Sequence, residues 1–305
     1  MKINIPYSLN EIGKRQNQED SIFPAKGQAD NDTRFFLVCD GMGGHENGEV
    51  ASQTVCESFA SILKDIRPED FNEVSFEQTL ALAYNELDKK DNTPEHKSKM
   101  GTTLTFLYLN EKEAFMAHIG DSRIYQLRTK NGKTEIIHKT FDHSLVNELL
   151  KAEVITIKEA ENHPKKNIIT RAIQPHLKQR YKADIHKTSD VQAGDYFFLC
   201  SDGVLESVND KQLIEIVSEN TDDETKIEAI RQLCDTHSKD NFSAYLVPVA
   251  EGFAETTQLT EETPDTEATI TTPPVTEKKK KTKCRIIILL IILLVITGIG
   301  AYFFC

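Results

Sequence analysis

The 305-residue chain has no basic surplus: 48 Asp and Glu stand against 36 Lys and Arg, for a net charge of −12. A body of that sign repels phosphate backbones, so nucleic acid is not an expected partner. It also lacks any Cys-x-x-Cys pair. Cys39, Cys56, Cys200, Cys234, Cys284 and Cys305 are scattered through apolar segments, without the spacing of a disulfide framework or a zinc site. They read as buried thiols of a reducing compartment. The first ten residues, MKINIPYSLN, hold no apolar core, so no cleaved secretory leader is expected.

Charge of one sign is missing from each of two adjoining C-terminal segments. Residues 251–277 carry seven acids and no Lys or Arg, whereas residues 278–305 carry six Lys or Arg and no acid. Removing both segments from the total leaves −11 on residues 1–250, enough chain for one large core. Residues 251–277 are rich in Thr, Glu and Pro and poor in large apolar groups, which predicts a disordered tether. The basic run 278–285 holds Lys278, Lys279, Lys280, Lys281, Lys283 and Arg285. After it, residues 286–304 read IIILLIILLVITGIGAYFF, about 28 Å as a helix and uncharged on every face. A single C-terminal transmembrane helix is expected, with a lipid bilayer as partner and the large N-terminal part on the cytoplasmic side.

Within residues 1–250, strand patterns are predicted at 34–39, 102–109, 114–119, 122–127, 135–138, 196–200 and 244–249. Helical spacing appears at 49–66, 75–90, 144–152, 209–218 and 222–236. Strands that follow one another directly, with helices gathered in pairs, indicate an α+β fold with antiparallel sheets and helices on their outer faces. Two segments resemble each other, RFFLVCDGMGG at 34–44 and DYFFLCSDGVL at 195–205, each an apolar run ending in Asp-Gly.

An acid at the end of a doubly buried strand is held rigidly while its head group reaches open space. Asp40 and Asp202 occupy such ends, Asp121 follows a third apolar run and Asp240 precedes a fourth. With Glu19 and Asp20 they make six carboxylates that would repel one another if they converged without cations. Carboxylates, a backbone carbonyl and water are the ligands of magnesium or manganese. The Gly after each strand-end Asp is expected to allow a sharp turn and a close backbone approach to an ion.

Six segments in order carry a resemblance: GKRQNQED at 13–20, VCDGMGGHENGEVAS at 38–52, GTTLTF at 101–106, HIGDSRIY at 118–125, LCSDGV at 199–204 and DNFS at 240–243. Together with DHSLVNELL at 142–150 and NIITRAI at 167–173, they resemble the motifs of type 2C (PPM) protein phosphatases of the bacterial branch, over roughly residues 8–248. The resemblance implies a β-sandwich of two antiparallel sheets flanked by helix pairs, with a dinuclear Mn2+ or Mg2+ centre at one end. Carried over by position, Asp40 bridges two ions, the Gly41 carbonyl binds one of them, and Asp202 and Asp240 complete the first ion's ligands. Glu19 supports the second ion, and Asp20 orients water there. Asp121, with Asp202 shared, corresponds to a ligand of a weaker third ion. Arg15 would hold the substrate phosphate. Met42 stands where animal members carry a His, so the group that protonates the leaving oxygen stays open between His45 and water. The implied activity is hydrolysis of phosphoserine and phosphothreonine in substrates of a Ser/Thr kinase. The alternatives are a phosphatase of a small phosphorylated metabolite and a membrane-tethered pseudophosphatase that only binds phosphoproteins.

Overall fold

The computed structural model describes residues 1–43, 47–91, 99–161 and 163–253. The expected tether, basic run and transmembrane helix, and His45, lie outside the described residues. In chain order the elements are β1 (Lys2–Ile3), β2 (Tyr7–Glu11), β3 (Asp20–Phe23), β4 (Phe35–Met42), α1 (Asn47–Leu63) and α2 (Glu73–Lys90). Then come β5 (Gly101–Thr102), β6 (Leu104–Leu109), β7 (Ala114–Ile119), β8 (Arg123–Lys130), β9 (Lys133–Lys139), α3 (Leu145–Lys151) and α4 (Ile157–Glu161). The chain continues through β10 (Asp184–Thr188), β11 (Asp195–Cys200), α5 (Asp202–Leu205), α6 (Asp210–Ser218), α7 (Asp223–His237) and β12 (Phe242–Glu251).

One sheet has the order β1-β12-β11-β8-β9, with β2 also on β12; the other has the order β10-β7-β6-β4-β3, with β5 on β4. Every strand pairing is antiparallel. The period of two along a strand sends alternate side chains to opposite faces. On β4, Phe36 and Val38 enter the core between the sheets, while Phe35, Leu37 and Cys39 face α1 and α2. On β11, Phe197 and Leu199 enter the same middle core, and Phe198 and Cys200 face α6 and α7. Both faces are therefore buried, which is why these strands read as unbroken apolar runs. The layers are helix, sheet, sheet, helix, as the paired helical patterns imply. The four described cysteines, Cys39, Cys56, Cys200 and Cys234, are buried free thiols.

Capping fixes where the outer helices start. Asn72 and Ser75 form a reciprocal capping box on α2, and Asn209 and Gln212 do the same on α6. Four short strands, β1, β2, β3 and β10, and two short helices, α4 and α5, were not expected from the sequence. Their patterns explain it: in β2 only Leu9 is buried, and in β10 no residue is.

Candidate metal centre

The acids meet at one end of the sandwich, where β3 and β4 of one sheet face the β11–α5 junction and the start of β12 of the other. Asp40 lies on β4 directly opposite Asp20 on β3. Its backbone is fastened from β5 and the residue after it. The Asp40 N–H donates to Thr103 Oγ1 at 2.9 Å, and the Thr103 N–H and Thr102 Oγ1 both donate to the Asp40 carbonyl, at 2.9 and 3.0 Å. Asp202 is the first residue of α5, following Ser201. Ser201 gives its hydroxyl to Asp20 Oδ2 at 2.8 Å instead of capping that helix, so the β11 end and β3 are tied beneath the site.

Asn241 organises the third side. Its Nδ2 donates to the carbonyls of Ile12 and Asn17 at 2.8 and 2.9 Å, and its Oδ1 accepts the Glu19 N–H at 2.8 Å. One buried amide thus shapes the loop that carries Arg15 and Glu19. Arg15 Nη2 contacts Asp240 Oδ2 at 2.5 Å at the exposed rim. Gly13, with φ of +58°, lets this loop pass so close to Asp240 that a Cβ would lie 2.2 Å from the Asp240 carbonyl oxygen.

Arg15, Glu19, Asp40, Gly41, Asp202 and Asp240 all line a cleft of about 500 Å3, together with Gln16, Asn17, Met42, Gly43, Ile169 and Asn241. Asp20 is 5% exposed and sits behind the wall. Asp121 is not on the wall either, though it is close enough to Asp202 to feel its charge.

Burial and mutual repulsion raise four of these carboxyl groups above the usual carboxylate range. Burial, and then the charges of Asp202, Asp20 and Asp121, push Asp40 well above the usual carboxylate range. Burial also raises Asp202, opposed by its hydrogen bond with Asp40 and aided by Asp240 and Glu206. Burial pushes Asp20 up to about 7 against the hydroxyls of Ser201 and Ser243. Asp121 is likewise pushed up to about 7, by burial and by Asp202 and Asp142.

The donor set fits hard divalent cations. The cleft offers carboxylate and carbonyl oxygens and no thiol or imidazole among its described lining residues. Asp121 Oδ1 is buried with no hydrogen-bond partner. The Gly41 backbone is packed so tightly that a Cβ would lie 2.1 Å from the Gly48 oxygen and 2.3 Å from the Glu19 oxygen. The expected sharp turn at that glycine is absent, because β4 runs on through Gly41 to Met42. Close approach, and not a turn, is what requires glycine here.

Crowded carboxylates gathered beside Arg15 define a class: a protein whose cleft suits hard divalent ions. The sequence profile described as Protein phosphatase 2C matches residues 10–249. Protein phosphatase PhpP of Streptococcus pneumoniae is 34% identical over 251 residues, covering 81% of this chain and 98% of its own. The crystal structure of the Mycobacterium tuberculosis serine/threonine phosphatase PstP/Ppp superposes with a TM-score of 0.69 at 27% identity, over 82% of this chain and all of that one. A PstP catalytic domain in complex with two manganese ions gives a TM-score of 0.66 at 26% identity, over 82% of this chain and 100% of that one. The chain belongs to the protein phosphatase 2C family. It is a metal-dependent protein phosphatase of the PPM fold that uses Mn2+ or Mg2+.

Sequence reading missed the residues that hold the acids in place: Thr102, Thr103 and Ser201, and the role of Asn241. All four lie within the motif segments GTTLTF, LCSDGV and DNFS, but nothing local to those segments shows which acid each one holds.

Proposed function

We propose that this chain hydrolyses phosphoserine and phosphothreonine in proteins, in a centre held by Asp40, Gly41, Asp202, Asp240 and Glu19, with Asp121 as ligand of a weaker third ion. The observation that supports this most is the convergence of Asp40 and Gly41 from one sheet, Asp202 and Asp240 from the ends of strands in the other, and Glu19 and Arg15 from the adjoining loop, on one cleft. When bound, the ions lower the pKa of water and neutralise charge that gathers on the phosphoryl oxygens. Arg15, exposed at the rim beside Asp240, takes the substrate phosphate through charge-assisted hydrogen bonds. Asp20, fixed by Ser201 and Ser243 behind the wall, orients water through its carboxyl. Met42 lines the cleft and carries no proton, so the leaving oxygen draws its proton from water or from His45.

The cleft's open, polar lining suits an extended phosphopeptide better than an enclosed metabolite. Release of phosphate from a phosphothreonine peptide with Mn2+, set against a panel of phosphorylated metabolites, tests this choice. Greater turnover of a metabolite at equal concentration would contradict it.

Membrane attachment is part of the same proposal and rests on the sequence of residues 278–304. Among the described residues no helix is long and apolar enough to cross a membrane. The anchor places the phosphatase beside membrane-bound kinase substrates, with the basic run held at an anionic cytoplasmic surface. Fractionation of the full chain against residues 1–283 tests it, the first pelleting with membranes and the second staying in the supernatant. Equal partition of the two chains would remove the anchor.

A further inference from the structure

The turn that carries Asp121 is held from one dipeptide. Between β7 and β8 the chain runs Gly120-Asp121-Ser122, and Gly120 has a φ of +108°. A Cβ there would lie 2.6 Å from Thr103 Cγ2, so the backbone path is open to glycine alone. His143 grips both polar groups of Gly120: its N–H donates to the Gly120 carbonyl at 2.9 Å, and its Nδ1 accepts the Gly120 N–H at 3.0 Å. The preceding Asp142 binds Arg123 on the other side of the turn, with carboxylate contacts at 2.6 and 2.7 Å.

The hydrogen bonds settle the state of the His143 ring. A nitrogen that accepts an N–H carries a lone pair, so in the neutral ring the proton sits on Nε2. Asp184 Oδ2 lies 3.1 Å from Nε2, where its charge favours a proton on that nitrogen, and Arg171 braces Asp184 through its Oδ1, also at 3.1 Å. The ring is 5% exposed as part of the buried residue and stacks on His118 with centroids 4.5 Å apart.

His118, His143 and Asp184 bring potential ligand atoms within 4.8 Å of one another, the spacing of a metal site. The hydrogen bonds exclude that use. In this arrangement His143 has no free lone pair, His118 Nε2 is engaged by the Phe141 carbonyl at 3.0 Å, and the Arg171 guanidinium stands 3.3 Å from His143 Nε2. The cluster is a hydrogen-bond relay.

We infer that His143, locked in one tautomer by Asp184, is a positioning residue that aims the Asp121 carboxylate at the weaker third ion. This rests on the reading of Asp121 as a ligand of that ion. The orienting logic matches that of outer-shell partners of metal ligands, which fix a ligand's direction without touching the ion. Thr170 donates its N–H to the His143 carbonyl at 2.8 Å, and Ile169 beside it lines the cleft. The relay therefore links the wall over the substrate to the turn that carries Asp121.

The test is Mn2+ binding by the full chain in detergent, followed by electron paramagnetic resonance of free Mn2+, alongside peptide turnover as a function of Mn2+. His143→Ala is expected to weaken the weak Mn2+ class by about 10- to 100-fold while the tight class is kept, and to lower kcat at limiting Mn2+ with KM unchanged. His143→Asn, whose Oδ1 can take the Gly120 N–H in place of Nδ1, is expected to restore most of the loss. Asp184→Ala, on an exposed edge, is expected to act in the same direction but less. Loss of the weak class in Asp121→Ala but not in His143→Ala overturns the inference alone. An unchanged weak class in Asp121→Ala overturns the reading on which it rests, and the inference with it. An equal weakening of both classes in His143→Ala and His143→Asn, with a lowered melting temperature, assigns the residue to structure and also overturns the inference.

Discussion

The two Asp-Gly strand ends look alike in sequence but are held in different ways. Asp40 stays inside its strand, with its backbone pinned by Thr102 and Thr103 and its neighbour Gly41 still in the ladder. Asp202 begins a helix, and its strand has already ended at Cys200. Yet both following glycines meet foreign backbone: a Cβ on Gly41 would lie 2.1 Å from the Gly48 oxygen, and one on Gly203 would lie 1.9 Å from the Asn241 oxygen. Each sheet supplies one rigid acid, and each acid needs a neighbour without a side chain so that another segment can close behind it. The difference is one of restraint: the strand fixes Asp40 on both sides, and the helix fixes Asp202 on one.

The largest expected effect follows from that asymmetry. Asp40→Asn should abolish Mn2+-dependent phosphate release, with a loss on the order of a thousandfold or more in kcat, since removing an electrostatic group at the reacting centre has that scale. Asp202→Asn should be severe but smaller, because its helical attachment lets a neighbouring oxygen adjust. Equal losses in the two variants would break the comparison. Gly41→Ala and Gly203→Ala come next. Each forces backbone apart and should destabilise the fold by roughly 2–4 kcal/mol, within the range of severe core changes, as read by denaturant melts.

Acid titration gives a further expected effect. Asp20 and Asp121 have folded pKa values pushed up to about 7 from an ordinary carboxylate value of 3.8. The folded chain therefore binds more protons than the unfolded one between those values, and stability falls as pH rises through that window. In EDTA the melting temperature should drop from about pH 4 toward pH 7 on this account, and Mn2+ should flatten the slope. A metal-free melting temperature that rises across that window would show that these acids are not crowded. Leu199→Ala, in the core between the sheets, should lower stability by about 2–5 kcal/mol while kcat is retained at low temperature. It separates packing from chemistry. The smallest effect belongs to Arg15→Ala, which should raise KM about tenfold and leave Mn2+ binding intact, because Arg15 is a cation at the exposed rim and offers the ions no ligand atom.

Legibility in the sequence tracked burial. β4, β7, β11 and β12 were readable because two cores bury both faces and leave continuous apolar runs. β10, DIHKT, was not readable, since no residue in it is buried and its register comes entirely from β7. The same holds at the site. Asp40 and Asp202 stand out as acids at the ends of apolar runs, whereas the grip of His143 on Gly120 spans 23 positions in the chain and has no local pattern. Asp20 is read as an acid beside a strand, but its place behind the wall depends on Ser201, which is 181 residues away.

One measurement bears most directly on the claim that acids from both sheets bind ions that act on phosphate. Bound Mn2+ and phosphate release from a phosphothreonine peptide are followed together, in wild-type and Asp40→Asn chains stripped with EDTA and titrated with Mn2+. Phosphate release in the wild-type chain should be absent before the titration and rise with the tight class of bound ions, and both should be lost in Asp40→Asn. Phosphate release that persists in EDTA, or that survives in Asp40→Asn with no tightly bound Mn2+, would contradict it.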